Sequence, residues 1–312
     1  MDASEASSLK RIERVRNRTL EDPSKVFEKN AWDDVCWDEE QLKNAEVRVL
    51  ANSAEPLPES ESWINNNSAK FLLNADQYWD KFYQKHCDQF FKDRKWLESE
   101  FPEVCEADER ISALDEGAEP KRLTVFETGC GVGNTVFPLI SSTKNAFVYC
   151  CDFSPEAIRL LKSRPQYSTE RCHAFVGDLT DDDPSHWPLE NESVDFIIML
   201  FTLSAIRPEK MPAVIRLLVS FLKPGGYILF RDYGKYDLAQ LRFKNTQCAG
   251  ENLYIRQDGT LAYFFTQEQL RNLFIAEGMV EEQNAVDRRL LVNRKRNILM
   301  HRVWIQCKFR KP

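Results

Sequence analysis

The sequence predicts a doubly wound α/β fold, in which a mostly parallel sheet is covered by helices on both faces. Three observations carry that prediction. Strand-like runs that are apolar on both faces recur from Leu123 onward, helical patterns fill the gaps between them, and the first run empties into a glycine-rich turn.

The runs are "LTVFET" (123–128), "AFVYCCDFS" (146–154), "HAFVGDL" (173–179), "VDFIIMLF" (194–201) and "GGYILFRDY" (225–233). Between them, "SPEAIRLLKSR" opens a helix with Ser154 as N-cap, Pro155 at the first helical position and Glu156 in the first turn. A second helix, "MPAVIRLLVSFLKPGG", ends at Lys223 against Pro224-Gly225-Gly226. "EQLRNLFIAEGM" (268–279) reads as a helix, and "MHRVWIQCKFRKP" (300–312) as a last strand with Val303, Ile305 and Cys307 on one face.

Three regions result. Residues 1–74 form a polar extension, with a helix predicted over "NAWDDVCWDEEQLKNAEVRVL" (30–50) and a flexible stretch at "ANSAEPLPESES" (51–62). Residues 75–122 hold an aromatic-rich amphipathic helix (75–101) followed by an acidic surface loop, and 123–312 form the α/β domain.

No apolar run approaches the roughly 18 residues of a membrane span. The nine cysteines lack CxxC spacing and His86, His173, His186 and His301 make no ligand pattern, so reduced thiols are expected and no metal site. The start lacks the apolar core of a secretory signal, which makes the cytoplasm the default, with a basic transit peptide as the alternative. A net charge of -7 hides an uneven distribution: from Ala239 to the end there are 13 Lys/Arg and 7 Asp/Glu, or +6. Such a basic third suits either a solvated face or nucleic acid.

In "FETGCGVGNT" (126–135) the glycines are Gly129, Gly131 and Gly133, so the third falls one position early for a dinucleotide fingerprint. Asp152 ends the second strand, where the first acid of such folds meets a ribose. Asp178 follows the third strand and is placed to accept from an adenine amino group. Two acids and the shortened turn favour S-adenosyl-L-methionine over a dinucleotide.

Together with "FETGCGVGNTVFPL" and "CCDFSPEAI", the stretches "FKDRKWL", "LKPGGYILFRDYG", "YDLAQLRF", "YIRQDGTLAYFFTQEQL" and "HRVWIQCKF" closely resemble the tRNA 3-methylcytidine methyltransferases. The resemblance runs from Tyr78 to Pro312. It implies the seven-stranded, Rossmann-like class I methyltransferase sheet and methylation of cytosine N3 at position 32 of the anticodon loop. "DPSKVFEKNAWDDVCWDEEQ" is similar to the extended N-terminus of the subtype acting on threonine, and sometimes arginine, tRNAs. The stretch from Phe101 to Leu123 is shorter than the insert of some relatives. Cofactor contacts implied by the resemblance are Trp79, Tyr83, Gly129, Asp152, Asp178, Leu179 and Leu200, and the glycine turn adds Gly131.

Neutral cytosine carries a lone pair at N3, so attack on a sulfonium methyl needs no general base, and alignment and charge stabilisation must do the catalysis. Asp232 and Tyr233 of "RDYG" are expected to accept from the exocyclic amine and to stack on the base, with Arg231 and Arg94 as further catalytic candidates. A base splayed out of its loop needs aromatic and arginine receptors. "FFKDR" offers Phe90, Phe91, Lys92 and Asp93 beside Arg94; the two phenylalanines suit a core better than a substrate platform, and the charged residues suit the platform better. Arg242, Lys244, Tyr254, Arg256, Arg288 and Arg289, with Arg294, Lys295 and Arg296, would track phosphates. The expected partners are a tRNA anticodon stem-loop and an accessory protein. Competing readings are a methyltransferase acting on a protein or small molecule, and a catalytically silent binding module. The former leaves the basic third without work, and loss of cofactor binding would favour the latter.

Overall fold

The computed structural model describes residues 18–54, 71, 74–88, 90–113, 122–181 and 187–312. The extension supplies strand β1 (Ala31–Asp33) and helix α1 (Glu39–Ala54). Helices α2 (Ala75–His86), α3 (Leu97–Glu100) and α4 (Glu103–Ala113) follow. The α/β domain runs β2 (Leu123–Thr128), α5 (Val136–Ser142), β3 (Ala146–Asp152), α6 (Pro155–Ser163), β4 (Cys172–Val176), β5 (Val194–Leu200), α7 (Met211–Phe221) and β6 (Leu222–Tyr233). Next come α8 (Leu238–Leu241), a small antiparallel sheet of β7 (Cys248–Gly250), β8 (Leu253–Ile255) and β9 (Leu261–Tyr263), helix α9 (Gln267–Ile275), and the hairpin β10 (Val280–Asn293) and β11 (Ile298–Arg310).

The main sheet has the order β1-β10-β11-β6-β5-β2-β3-β4. β4, β3, β2, β5 and β6 are parallel, while β11, β10 and β1 add antiparallel. The seven expected strands are therefore joined by an eighth from the extension. β2 has β3 on one side and β5 on the other, so strand order reverses there and a crevice opens at the carboxyl ends of β2 and β5. Val125, Phe126, Ile197, Ile198, Ile228 and Leu229, on these central strands, are at most 0% exposed, which is why the runs read as apolar on both faces.

Three elements differ from the sequence expectation. "NAWDD" is strand rather than helix: Trp32 buries against Leu290 and Val292 while β1 satisfies the edge of β10. The helix expected over 75–101 stops at His86, where Cys87 takes φ 52° and donates its N–H to Tyr83 O. "FFKDR" is thereby irregular, and Arg94 turns inward. The first part of the acidic loop is α4, whose Val104 and Asp108 bury one face while the acids around them meet solvent; residues 114–121 and 55–70 lie outside the described ones.

Helix α2 is pinned over the crevice by Asp80. Its carboxylate accepts from Ser154 Oγ (2.7 Å) and Glu156 N (2.9 Å) at the start of α6, and Ser154 Oγ caps Ala157 N (3.1 Å). A carboxylate facing unpaired N–H groups at a helix start is a favourable arrangement, worth about 0.3–1 kcal/mol or more when partly buried. It sets Trp79, one residue earlier, and Tyr83, one turn later, above the glycine turn.

Candidate active site

The turn after β2 is held from both sides. Gly129 (φ +59°) packs so tightly that a Cβ there would lie 2.5 Å from Thr202 Oγ1, and at Gly131 (φ +54°) one would lie 2.6 Å from Tyr83 Oη. Asp152 fixes the turn from below: Oδ2 accepts from Gly131 N (2.9 Å) and Oδ1 from Ser154 N (3.0 Å). Burial raises its carboxyl to about 6, partly offset by those two N–H groups. Two backbone bonds leave a carboxylate lone pairs to spare for ligand hydroxyls.

Beside the turn is a cavity of about 200 Å³ lined by Trp79, Gly129, Asp152, Asp178, Leu179 and Arg207, among others. The buried Trp79 Nε1 has no hydrogen-bond partner among the described residues. Asp178 is exposed, and one of its oxygens accepts from Thr180 N and Oγ1, both at 2.8 Å.

A second cavity, about 340 Å³, adjoins the first, and Trp79, Tyr83, Gly129, Phe201, Ala205 and Leu261 belong to both. Its character is aromatic and cationic. Arg231 lies between Trp96 (5.3 Å) and Trp304 (5.1 Å), and Arg289 and Arg302 also face the Trp304 ring, at 5.5 and 5.0 Å. Arg256 sits 5.7 Å from the Tyr233 ring, and Arg94 5.4 Å from that of Phe201. Phe201 is held at φ 58°, uncommon for a bulky residue, by its N–H on Arg231 O (2.8 Å). It is a shared wall of the two cavities.

Strand alternation on β6 sends Arg231 and Tyr233 into this cavity and Asp232 the other way. Asp232 is fully buried, and its oxygens accept from Ser204 N (2.9 Å) and Tyr233 N (2.8 Å). It therefore braces the turn after β5 and does not line the second cavity, where direct contact with the base was expected. Burial raises its carboxyl to about 6.

Beneath the glycine turn, Glu127 is buried with Oε2 unpartnered among the described residues, and desolvation raises it to about 8 despite the attraction of Arg94 and bonds from Thr135 and Val136 N. Arg94 Nη1 donates to Thr135 Oγ1 (3.1 Å), which links the two. The folded protein thus holds a proton that the unfolded chain releases between about pH 4.5 and 8, so stability falls as pH rises through that window. Glu127→Gln is expected to remove this slope: the melting temperature of the variant should gain several degrees on the wild type between about pH 6 and 8.5. Parallel melting curves across that range would refute the shift.

A family model described as a methyltransferase domain matches residues 126–228. The tRNA N(3)-cytidine methyltransferase METTL2 of Xenopus tropicalis is 47% identical over 323 residues, spanning 95% of this chain and 94% of that protein. The chain belongs to the tRNA N(3)-cytidine methyltransferase family. Drosophila melanogaster Mettl2, a tRNA N(3)-methylcytidine methyltransferase, is 48% identical, with 95% and 88% covered. The tRNA(Thr) (cytosine(32)-N(3))-methyltransferase of Saccharomyces cerevisiae is 42% identical over 95% of this chain and 45% of its own length. Among solved structures, a SAM-dependent methyltransferase from Anabaena variabilis shares the fold at 13% identity and a TM-score of 0.51, covering 77% of this chain and 96% of that one.

The enzyme's cofactor is S-adenosylmethionine, and the first cavity fits it. The unpaired Trp79 donor, the carboxylates of Asp152 and Asp178, and the apolar Leu179 offer what an adenosine group requires. Of the expected cofactor residues, Trp79, Tyr83, Gly129, Asp152, Asp178 and Leu179 line that cavity; Gly131 and Leu200 line its neighbour.

The expected substrate residues divide. Phe91, Lys92, Arg94, Arg231, Tyr233, Arg256 and Arg289 line the second cavity. Tyr254 does not: it is 0% exposed and stacks on Phe243 in a core with Phe264, so it supports the insertion from within. Asp93 accepts from Asn134 Nδ2 (3.0 Å) and holds the segment in place. Phe90 is exposed and edges onto Phe82 and Phe91 outside the cavity. Arg289 lines the cavity while paired with Asp287 and Glu100; Arg288, on the other face of β10, does not line it. Arg242, Lys244, Arg294, Lys295 and Arg296 are exposed.

Sequence reasoning missed Trp96, Phe201, Arg302, Trp304 and Glu127. The alternation in "HRVWIQC" carried the signal for two of them, since a strand with Val303, Ile305 and Cys307 on one face must turn Arg302, Trp304 and Gln306 to the other.

Proposed function

We propose that this enzyme methylates N3 of cytidine 32 in the anticodon loop of threonine tRNAs, and that the arginine and aromatic cavity receives the cytosine. The observation that carries this reading is the shared wall of the two cavities at Trp79, Tyr83, Gly129 and Phe201, where a methyl donor and a base would meet. The tRNA(Thr) substrate of the yeast relative and the extended N-terminus support the threonine assignment.

S-adenosylmethionine, when bound, supplies an electrophilic methyl group. The protein's part is to bring a flipped cytosine against it. Tyr233, Phe201 and Trp304 offer faces for the base, and the guanidiniums around Trp304 offer donors to its carbonyl and to the adjoining phosphate. As the N3 lone pair bonds to that methyl, the methyl's bond to sulfur would break and neutral S-adenosylhomocysteine would leave, so no proton is lost and the positive charge ends on the base. Buried Asp232 acts on that charge through the field rather than by contact, while Glu127 stays protonated beneath the turn. Exposed Arg242, Lys244, Arg294, Lys295 and Arg296 hold phosphates farther out.

The test is incubation of the purified protein with S-adenosylmethionine and unmodified tRNA, followed by nucleoside mass spectrometry. 3-Methylcytidine on threonine tRNA, lost when position 32 is changed to uridine, is the expected result. Cofactor binding without product would point instead to a required partner or prior modification, and methylation elsewhere would overturn the assignment.

A further inference from the structure

The N-terminal extension reaches the substrate cavity through its charges. Asp33 of β1 is 4% exposed and grips Arg18 with both oxygens (2.9 and 3.0 Å). It also lies 3.8 Å from Arg289 Nε across the β1–β10 pairing. Arg289 Nη2 contacts Asp287 (2.7 Å) and Glu100 (3.3 Å), and Asp287 in turn pairs with Arg231, which donates to Gln306 Oε1 at 2.5 Å. Guanidiniums of Arg18, Arg289 and Arg231 thus alternate with carboxylates of Asp33, Glu100 and Asp287, from the extension to the cavity wall. The chain ends where Arg231 is stacked between Trp96 and Trp304.

Buried ion networks hold their members only while charge is balanced, and deleting one partner leaves an uncompensated charge that reorients the rest. Here the balance depends on an element outside the α/β domain. β1 is docked for that purpose: Trp32 packs on Leu290 and Val292, its Nε1 donates to Val26 O (2.8 Å), and Val292 N donates to Asn30 O (2.8 Å).

We infer that Asp33 is a positioning residue for the reaction, fixing Arg289 and, through Asp287, Arg231 at the wall that receives the base. The extension then completes the substrate cavity rather than serving only as a separate handle for tRNA or a partner. This rests on the reading of that cavity given above.

The test uses the full chain with Asp33→Asn, Arg289→Gln and the double variant. Asp33→Asn should lower kcat/KM for tRNA about 10- to 100-fold while cofactor affinity measured by calorimetry stays within about twofold, and the double variant should be no worse than Arg289→Gln alone. Hydrogen exchange should speed up in β11 around Trp304 but not at residues 129–133. A fall in melting temperature with unchanged kcat/KM, or losses that multiply in the double variant, would overturn the inference. So would unchanged exchange in β11, whatever the substrate. Wild-type protein that binds cofactor yet forms no 3-methylcytidine would instead overturn the substrate reading, leaving the exchange result to decide the coupling.

Discussion

Trp304→Ala is expected to lower kcat/KM for tRNA by about 100- to 1,000-fold while leaving S-adenosylmethionine affinity unchanged. Stacking of a base on an aromatic face is worth roughly 1–3 kcal/mol, or about 5- to 150-fold. The remainder comes from the guanidiniums of Arg231, Arg289 and Arg302, all within 5.5 Å of the ring, which lose the surface that orients them. Cofactor affinity should hold because Trp304 lines only the second cavity. Trp304→Phe keeps a stacking face and should recover most of the loss. Steady-state kinetics on tRNA, paired with calorimetry for the cofactor, measures both; a Trp304→Ala enzyme within threefold of wild type would remove the ring from the substrate site.

Gly129→Ala should act on the other cavity. A non-glycine residue at φ +59° costs roughly 1–2 kcal/mol, and the new Cβ would stand 2.5 Å from Thr202 Oγ1 and 3.1 Å from its Cβ. Thr202 has little room to yield, since its hydroxyl is tied to Thr128 O at 2.9 Å and β-branched side chains are stiff. Strain and clash together come to about 2–3 kcal/mol, or about 30- to 150-fold in cofactor Kd once the turn is displaced. Calorimetry with S-adenosylmethionine on protein verified as folded would decide it, and a Kd within threefold of wild type would show that the turn gives way more easily than its packing implies.

The α/β domain was legible because its signals are local. Strands buried on both faces must be apolar throughout, Ser154-Pro155-Glu156 starts a helix by its own chemistry, and glycines at 129 and 131 follow from positive φ. The cofactor residues were legible for a related reason: in a doubly wound sheet the ligand edge is fixed by strand order, so the residue that ends each strand is placed once the strands are known. The substrate cavity was not. Arg94 reaches it only because the helix of residues 75–86 breaks at Cys87, and Tyr254 leaves the surface only because Phe243 and Phe264 close over it. Neither event has a signal in the neighbouring sequence.

For this protein, then, the sequence alone determined the sheet, the glycine turn, the two acids at the strand ends and the family, all of which depend on residue type and spacing along the chain. Only the tertiary structure decided that Asp232 braces a turn, that Trp96 and Trp304 enclose Arg231, and that Asp33 belongs to the same charge network. The physical reason is that these roles depend on which way a side chain points and on partners from distant segments: Arg231 and Trp96 come together from positions far apart in the chain, and Asp33 meets Arg289 only because an edge strand pairs there.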